Sequence, residues 1–248
     1  MGRGRRNPRP AASAEPPSDR IEQLELSFAS TETSIAATIL SYAALTTQEL
    51  LAAFGTVRRS QGGQGTTTDQ QQDILRSMLV FSMAGLDACL KQLIRDALPS
   101  LALKSVGVQR QLDDFVSRKI SRDGVAVDAR FLARVLRSQD AQTALVSELI
   151  SELTGGSLQS VQQLLSVCGA FDLSNDQGLV IELRGLAEAF TIRNRIIHEM
   201  DMNLAARNRN RTSRARGTMV RESNRTLRAA HRIVSAVDMR LQEPGDAQ

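Results

Sequence analysis

The chain has 248 residues, of which 42% are apolar and 23% are charged, and its formal net charge is +4. This apolar content is sufficient for one globular domain with an ordinary buried core. Aromatic residues are few, with no Trp, one Tyr and seven Phe, so the aromatic and β-branched runs of a sheet protein are absent.

The first 69 residues of the chain divide into a tail, a helical segment and a loop. Residues 1–19 combine four arginines with four prolines, which predicts a disordered basic tail. Apolar residues then recur at helical spacing, predicting one long or two shorter helices over 20–54. A flexible loop is expected over 55–69, and its glycines lack the Gly-x-x-x-x-Gly-Lys pattern of a phosphate-binding loop.

The strongest helical pattern follows this loop and opens a core region, 70–241. Its apolar stripe starts near Asp69 and is expected to stop at Pro99. Short helices are predicted near 108–120, 128–138 and 140–153. Ser157 is a candidate N-cap for another helix that reaches about Val167.

The last third of the chain is predicted to contain two longer helices around a polar loop. Apolar spacing indicates a helix from Leu179 to Ile197, a loop over 203–217, and a closing helix from Thr218 to Leu241. Residues 243–248 are expected to be disordered. The whole of 20–242 therefore predicts a single all-α domain whose main helices pack antiparallel, with extra short helices inserted.

The cysteines and the targeting signals bear on location. Cys89 and Cys168 lie in apolar helical patterns without ligand spacing, which predicts buried free thiols in a reducing compartment. We find no apolar run near the roughly 18 residues that a membrane span needs, and no signal-peptide pattern. A soluble cytoplasmic protein without membrane contact is expected.

Residues 193–198 read Arg-Asn-Arg-Ile-Ile-His and are the clearest chemical signal in the chain. An arginine five residues before a histidine would arise by chance with a probability of about 0.2, and requiring Asn after the Arg lowers it to about 0.006. Arg193 can neutralise a phosphate, Asn194 can orient it, and His198 can move a proton near neutral pH. Ile196 and Ile197 are expected to face the core. The second histidine, His231, lies in an apolar helical pattern and is expected to have a structural or surface role.

Arginine is concentrated after this motif. Residues 193–232 hold eleven arginines against three carboxylates, a balance that suits a polyanionic substrate such as RNA. A solvated arginine-rich face is the alternative. Six arginines are candidate RNA contacts: Arg195, Arg207, Arg209, Arg211, Arg214 and Arg216.

The motif Arg193-Asn194-x-x-x-His198, on an apolar helix after a Leu-rich core helix, resembles the HEPN superfamily. The stretch Val80–Asp87 is also similar to the second helix of the RiboL-PSP and related HEPN groups. This resemblance covers about residues 70–241. It implies a HEPN-like helical bundle, a homodimer with facing motifs, and an endoribonuclease of a toxin or phage-defence type that needs neither metal nor cofactor.

Transferred to this chain, the resemblance assigns catalytic roles to three residues. Arg193 would stabilise the scissile phosphate, Asn194 would orient the backbone or His198, and His198 would act as general acid and base for attack by the ribose 2′-OH. An antitoxin or another regulatory protein is a possible partner. Two alternatives stay open: a non-catalytic bundle that binds RNA or protein, and a purely structural role in which Asn194 and His198 cap a helix end.

Overall fold

The structure is a computed structural model that describes residues 20–60, 67–120, 129–203, 207 and 210–244. Within these ranges it has nine helices and no strand, which confirms the all-α class. The predicted tail, 1–19, and most of the predicted disordered end lie outside the described residues. The helices are α1 (Thr31–Ser60), α2 (Asp69–Lys104), α3 (Val106–Ile120), α4 (Ala129–Arg137), α5 (Ala141–Thr154), α6 (Val161–Ala170), α7 (Gln177–Arg184), α8 (Ala187–Glu199) and α9 (Arg216–Gln242).

The long helix α2 is the centre of the bundle and packs mainly against α1 and α9. It begins with a capping box, in which the Thr68 side chain accepts from the Gln71 backbone and the Gln71 side chain accepts from the Thr68 backbone. Helices α1 and α2 come very close at Gly85, where a Cβ atom would lie 2.2 Å from Cβ of Ala43. Glycine is therefore required at this crossing.

The prediction that α2 stops at Pro99 is wrong. The helix continues to Lys104 with Pro99 inside it. Beyond the proline, Leu101 and Ala102 are buried in the core. The burial of these side chains offsets the backbone hydrogen bond that proline cannot donate.

The predicted helical segment 20–54 is also wrong at both ends, because α1 begins at Thr31 and continues to Ser60. Residues 20–30 instead form a non-helical strap along α9. Three α9 side chains, seven residues apart, hold its backbone. Asn224 accepts from the Glu22 amide at 3.1 Å, the His231 ring bonds the Glu25 carbonyl at 2.7 Å, and Asp238 accepts from the Ala29 and Ser30 amides. His231 is thus structural, as the sequence predicts.

Two boundaries near the motif differ from the predictions. Ser160, and not Ser157, caps α6 by accepting from the Gln163 amide. The predicted helix from Leu179 to Ile197 is divided into α7 and α8 at Gly185, where the chain turns before the second apolar stretch. The break lets α7 pack against α6 and α9, whereas α8 packs against α2 and α9.

The buried thiols and the apolar helices complete the description of the core. Both cysteines are free and buried, as predicted, and burial raises the pKa of Cys89 and of Cys168 to about 12. Two helical stretches, Thr31–Arg58 and Asp69–Lys104, are apolar and long enough to cross a membrane by length and composition alone. Core helices pass the same test, so this finding carries little weight.

Candidate functional site

The motif occupies the last two turns of α8, and the way this helix ends decides where His198 lies. Met200 and Asp201 both adopt left-handed backbone conformations, with φ of 51° and 57°. Their amides donate to the carbonyl of Arg195, which closes the helix end. His198 is therefore in the final helical turn.

Arg193 and Asn194 are half-buried and in direct contact. The Nη1 atom of Arg193 donates to Oδ1 of Asn194 at 3.1 Å and to Oε1 of Gln159 at 2.8 Å. Gln159 belongs to the loop between α5 and α6, 34 residues earlier in the chain. The guanidinium is thus oriented by two amide oxygens, and no carboxylate in the described ranges forms an ion pair with it.

Arg193 lines a small cleft between α2, the loop 157–159 and α8, which we call the Arg193 cleft. Its volume is about 140 Å³. The lining combines apolar side chains with four polar or charged ones. The lining residues are Val80, Met83, Ala84, Asp87, Ser157, Leu158, Gln159, Phe190 and Arg193.

Asp87 fixes the loop that carries Gln159. Its Oδ1 atom accepts from the Leu158 amide at 2.6 Å, and its Oδ2 atom forms an ion pair with Lys91 at 2.9 Å. The Gln159 amide in turn donates to Oε1 of Gln163 at 2.8 Å. Asp87 and Gln159 therefore place the loop against Arg193, although sequence reasoning singled out neither residue for the site.

His198 is exposed, and no side chain in the described ranges orients its ring by a hydrogen bond. The expectation that Ile197 faces the core is wrong, because 44% of it is exposed, whereas Ile196 packs against the core. Met200 is 64% exposed. The end of α8 and the residue that caps it therefore present an exposed imidazole with an exposed apolar side chain on each side of it in the chain.

A buried ion cluster holds the segment that follows α8. Asp201 is fully buried and accepts from Nε of Arg76 at 2.9 Å and from Nε of Arg214 at 3.0 Å. Burial opposes ionisation of Asp201, but the hydrogen bonds from Arg214 and Arg76 outweigh it, so its pKa lies below the ordinary value. Arg76 also donates to the carbonyl of Thr212 at 2.8 Å.

A second ion pair extends the cluster to the surface. Arg211 lies 2.6 Å from Oδ1 of Asp73, on the first turns of α2. The hydrogen bond from Arg211 lowers the pKa of Asp73, and the same bond raises the pKa of Arg211. Both partners of this pair are solvent-accessible, so we expect a small contribution to stability.

The structure separates the six candidate RNA contacts into distinct groups. Arg211 and Arg214 are ion-paired with Asp73 and Asp201, so their charge is partly offset. Arg195 and Arg207 are exposed, and Arg216 is half-buried at the start of α9. Arg209 lies outside the described residues.

Sequence reasoning missed the cluster because its members are far apart in the chain. Asp201 and Arg76 are 125 residues apart, and no spacing pattern predicts such a pair. The one available signal was an acidic residue three positions after the motif, at the start of an arginine-rich stretch.

Within the part of the chain that the structure describes, no group of three His, Cys, Asp or Glu side chains could hold a metal ion. Comparison of the chain with family models, curated proteins and solved structures gives no match. The resemblance to the HEPN superfamily therefore stays a prediction from the sequence motif.

Proposed function

We propose that the chain is an endoribonuclease that cleaves RNA without a metal ion or other cofactor. The observation that carries this proposal is the arrangement on α8, where Arg193 lines a cleft and contacts Asn194, and His198 is exposed at the end of the same helix. A cation and a proton-transfer group on one rigid element suit phosphodiester cleavage.

The proposed reaction is a transesterification that needs no water. The ribose 2′-oxygen gives its proton to His198 and attacks the phosphorus, and the bond from phosphorus to the 5′-oxygen breaks. The protonated His198 then gives a proton to the leaving 5′-oxygen. Arg193 stabilises the charge that develops on the phosphoryl oxygens. The products are a 2′,3′-cyclic phosphate end and a 5′-OH end.

A homodimer is part of the proposal. A general base normally has a third group that orients it, and His198 has none in the described ranges of this chain. The apolar side chains beside it, Ile197 and Met200, are exposed. A second copy that covers them would bring two motifs together and supply the missing partner.

The biological setting follows from the resemblance alone. We propose a cytoplasmic enzyme of a toxin or phage-defence type, restrained by an antitoxin or another regulatory protein. The unoriented His198 also favours a second candidate, a non-catalytic bundle that binds RNA or protein.

Product analysis distinguishes these two functions. Purified protein would be incubated with a mixed-sequence RNA in EDTA, and with DNA of the same sequence as the control. The proposal predicts RNA fragments with 2′,3′-cyclic phosphate and 5′-OH ends, and intact DNA. Fragments with 5′-phosphate ends, or RNA that is bound and left intact, would contradict it.

A further inference from the structure

The geometry points to a nucleobase site in the Arg193 cleft, with Asp87 selecting guanine. This inference rests on the proposed function, because it names the part of the RNA that the same site would read. It also concerns residues of α2 and of the loop 157–159, which the motif does not include.

The size and walls of the Arg193 cleft suit a single base. About 140 Å³ is well below the volume of sites for larger ligands, so the cleft admits one flat ring system and not a folded strand. Val80, Met83 and Leu158 supply apolar wall, and the ring of Phe190 adds an aromatic surface. Single-stranded RNA is commonly read by splayed bases that enter such apolar sites.

The carboxylate of Asp87, which lines the cleft, favours guanine over the other bases. Asp87 accepts one hydrogen bond at each carboxylate oxygen, from the Leu158 amide and from Lys91, and each oxygen keeps further acceptor capacity. Guanine alone presents two adjacent donors, N1–H and the 2-amino group, on its Watson–Crick edge. A carboxylate can accept both, whereas the uracil edge would bring carbonyl oxygens towards the negative charge.

Arg193 connects this base site to the proposed chemistry. It lines the Arg193 cleft and is also the motif residue assigned to the phosphate. One nucleotide can therefore place its base against Asp87 and its phosphate against Arg193. The hydrogen bond from Nη1 of Arg193 to Oε1 of Gln159, at 2.8 Å, holds the arginine in this position.

The test measures binding of nucleotides to full-length protein by calorimetry or NMR titration. The probes are guanosine 3′,5′-bisphosphate and inosine 3′,5′-bisphosphate, which differ only in the 2-amino group. We expect guanosine to bind at least about tenfold more tightly, since a hydrogen bond to a charged group is lost with inosine. Equal affinities, or no binding of either at millimolar concentration, would overturn the inference.

Two variants test the residues. Asp87→Asn keeps the size of the side chain and removes its charge, and we expect the preference for guanosine to fall to about threefold or less. Because Asp87 also holds Leu158, a second variant, Ala84→Leu, fills the cleft from an exposed position without removing a hydrogen bond. It should abolish nucleotide binding. Ala88→Leu, one turn further along α2 and outside the lining, is the matched control and should bind as the wild type does.

The outcomes separate this inference from the proposed function. Guanosine preference that disappears in Ala84→Leu, in a protein that leaves RNA intact, would support the base site and reject catalysis. The opposite result would be cleavage that requires His198, with no preference for guanosine over inosine and no loss of binding in Ala84→Leu relative to wild type. It would support catalysis and reject the base site.

Discussion

Arg76 donates from Nε to Oδ2 of Asp201 at 2.9 Å, and this bond joins the central helix α2 to the segment that ends the motif helix. Asp201 is also one of the two left-handed residues that close α8. The position of His198 therefore depends on a buried carboxylate that is three residues further along the chain. Removal of this carboxylate should lower the free energy of unfolding and disturb the C-terminal end of α8.

Asp201→Asn is predicted to lower the free energy of unfolding by about 3 kcal/mol, because Arg76 and Arg214 lose their buried carboxylate and Arg76 keeps only the exposed Asp73 as a charged partner. Urea unfolding followed by circular dichroism measures the change. Asp113→Asn, at an exposed position of α3, is the control and should stay within about 0.5 kcal/mol of wild type. A small effect of Asp201→Asn, similar to that of the control, would show that the ion cluster does not stabilise the fold.

The protein should lose stability in acid. Burial opposes ionisation of both Asp201 and Asp238, but hydrogen bonds outweigh it and lower both pKa values in the folded state. Such carboxylates stabilise the fold above the unfolded pKa of about 4, and this stability is lost as the pH falls below that value. Urea unfolding between pH 7 and about pH 3 should show this decline, with a shallower decline in Asp201→Asn. Parallel curves for the two proteins would contradict the assignment to Asp201.

The close approach of α1 and α2 makes Gly85 sensitive to any side chain. Gly85→Ala would place a Cβ atom 2.2 Å from that of Ala43 and force the helices apart, so we expect a loss of about 1–3 kcal/mol. Thermal unfolding checks this value. Gly156→Ala meets no atom within 4 Å and should be neutral or slightly stabilising. Equal melting temperatures for the two variants would contradict the packing described at the crossing.

RNA affinity should depend on the exposed arginines near the motif. Arg195→Gln and Arg207→Gln, made in a His198→Ala background to prevent cleavage, should each weaken binding of single-stranded RNA. Each should also reduce the slope of log affinity against log salt by about 0.7. Filter binding at several salt concentrations measures both effects. Arg110→Gln, at an exposed position of α3, is the control, and an equal loss in this variant would indicate non-specific attraction.

Periodicity predicted the helices well where apolar side chains face one core. The stripe of α2 and the closing helix α9 are examples, because residues three or four apart on them are buried together. The predicted end of α2 was wrong because burial competes there with a helix-breaking residue. Pro99 is a strong local breaker, yet the apolar residues beyond it keep the helix intact.

The strap and the surroundings of the motif could not be predicted from spacing. Residues 20–30 have apolar residues at helical intervals. Their backbone is instead hydrogen-bonded by three side chains that are more than 200 residues away in the chain: Asn224, His231 and Asp238. Gln159 reaches Arg193 in the same way, through a loop held by Asp87. The motif itself was visible because its three residues lie on two turns of one helix.

RNA cleavage by His198→Ala, compared with His231→Ala, tests the central claim most directly. His231 bonds the Glu25 carbonyl and packs 5.8 Å from the Phe28 ring, so its loss should lower stability and leave cleavage by the folded protein near the wild-type rate. Removal of His198 should lower the cleavage rate by about a hundredfold or more. Equal cleavage rates for His198→Ala and wild type would contradict the assignment of the chemistry to the motif.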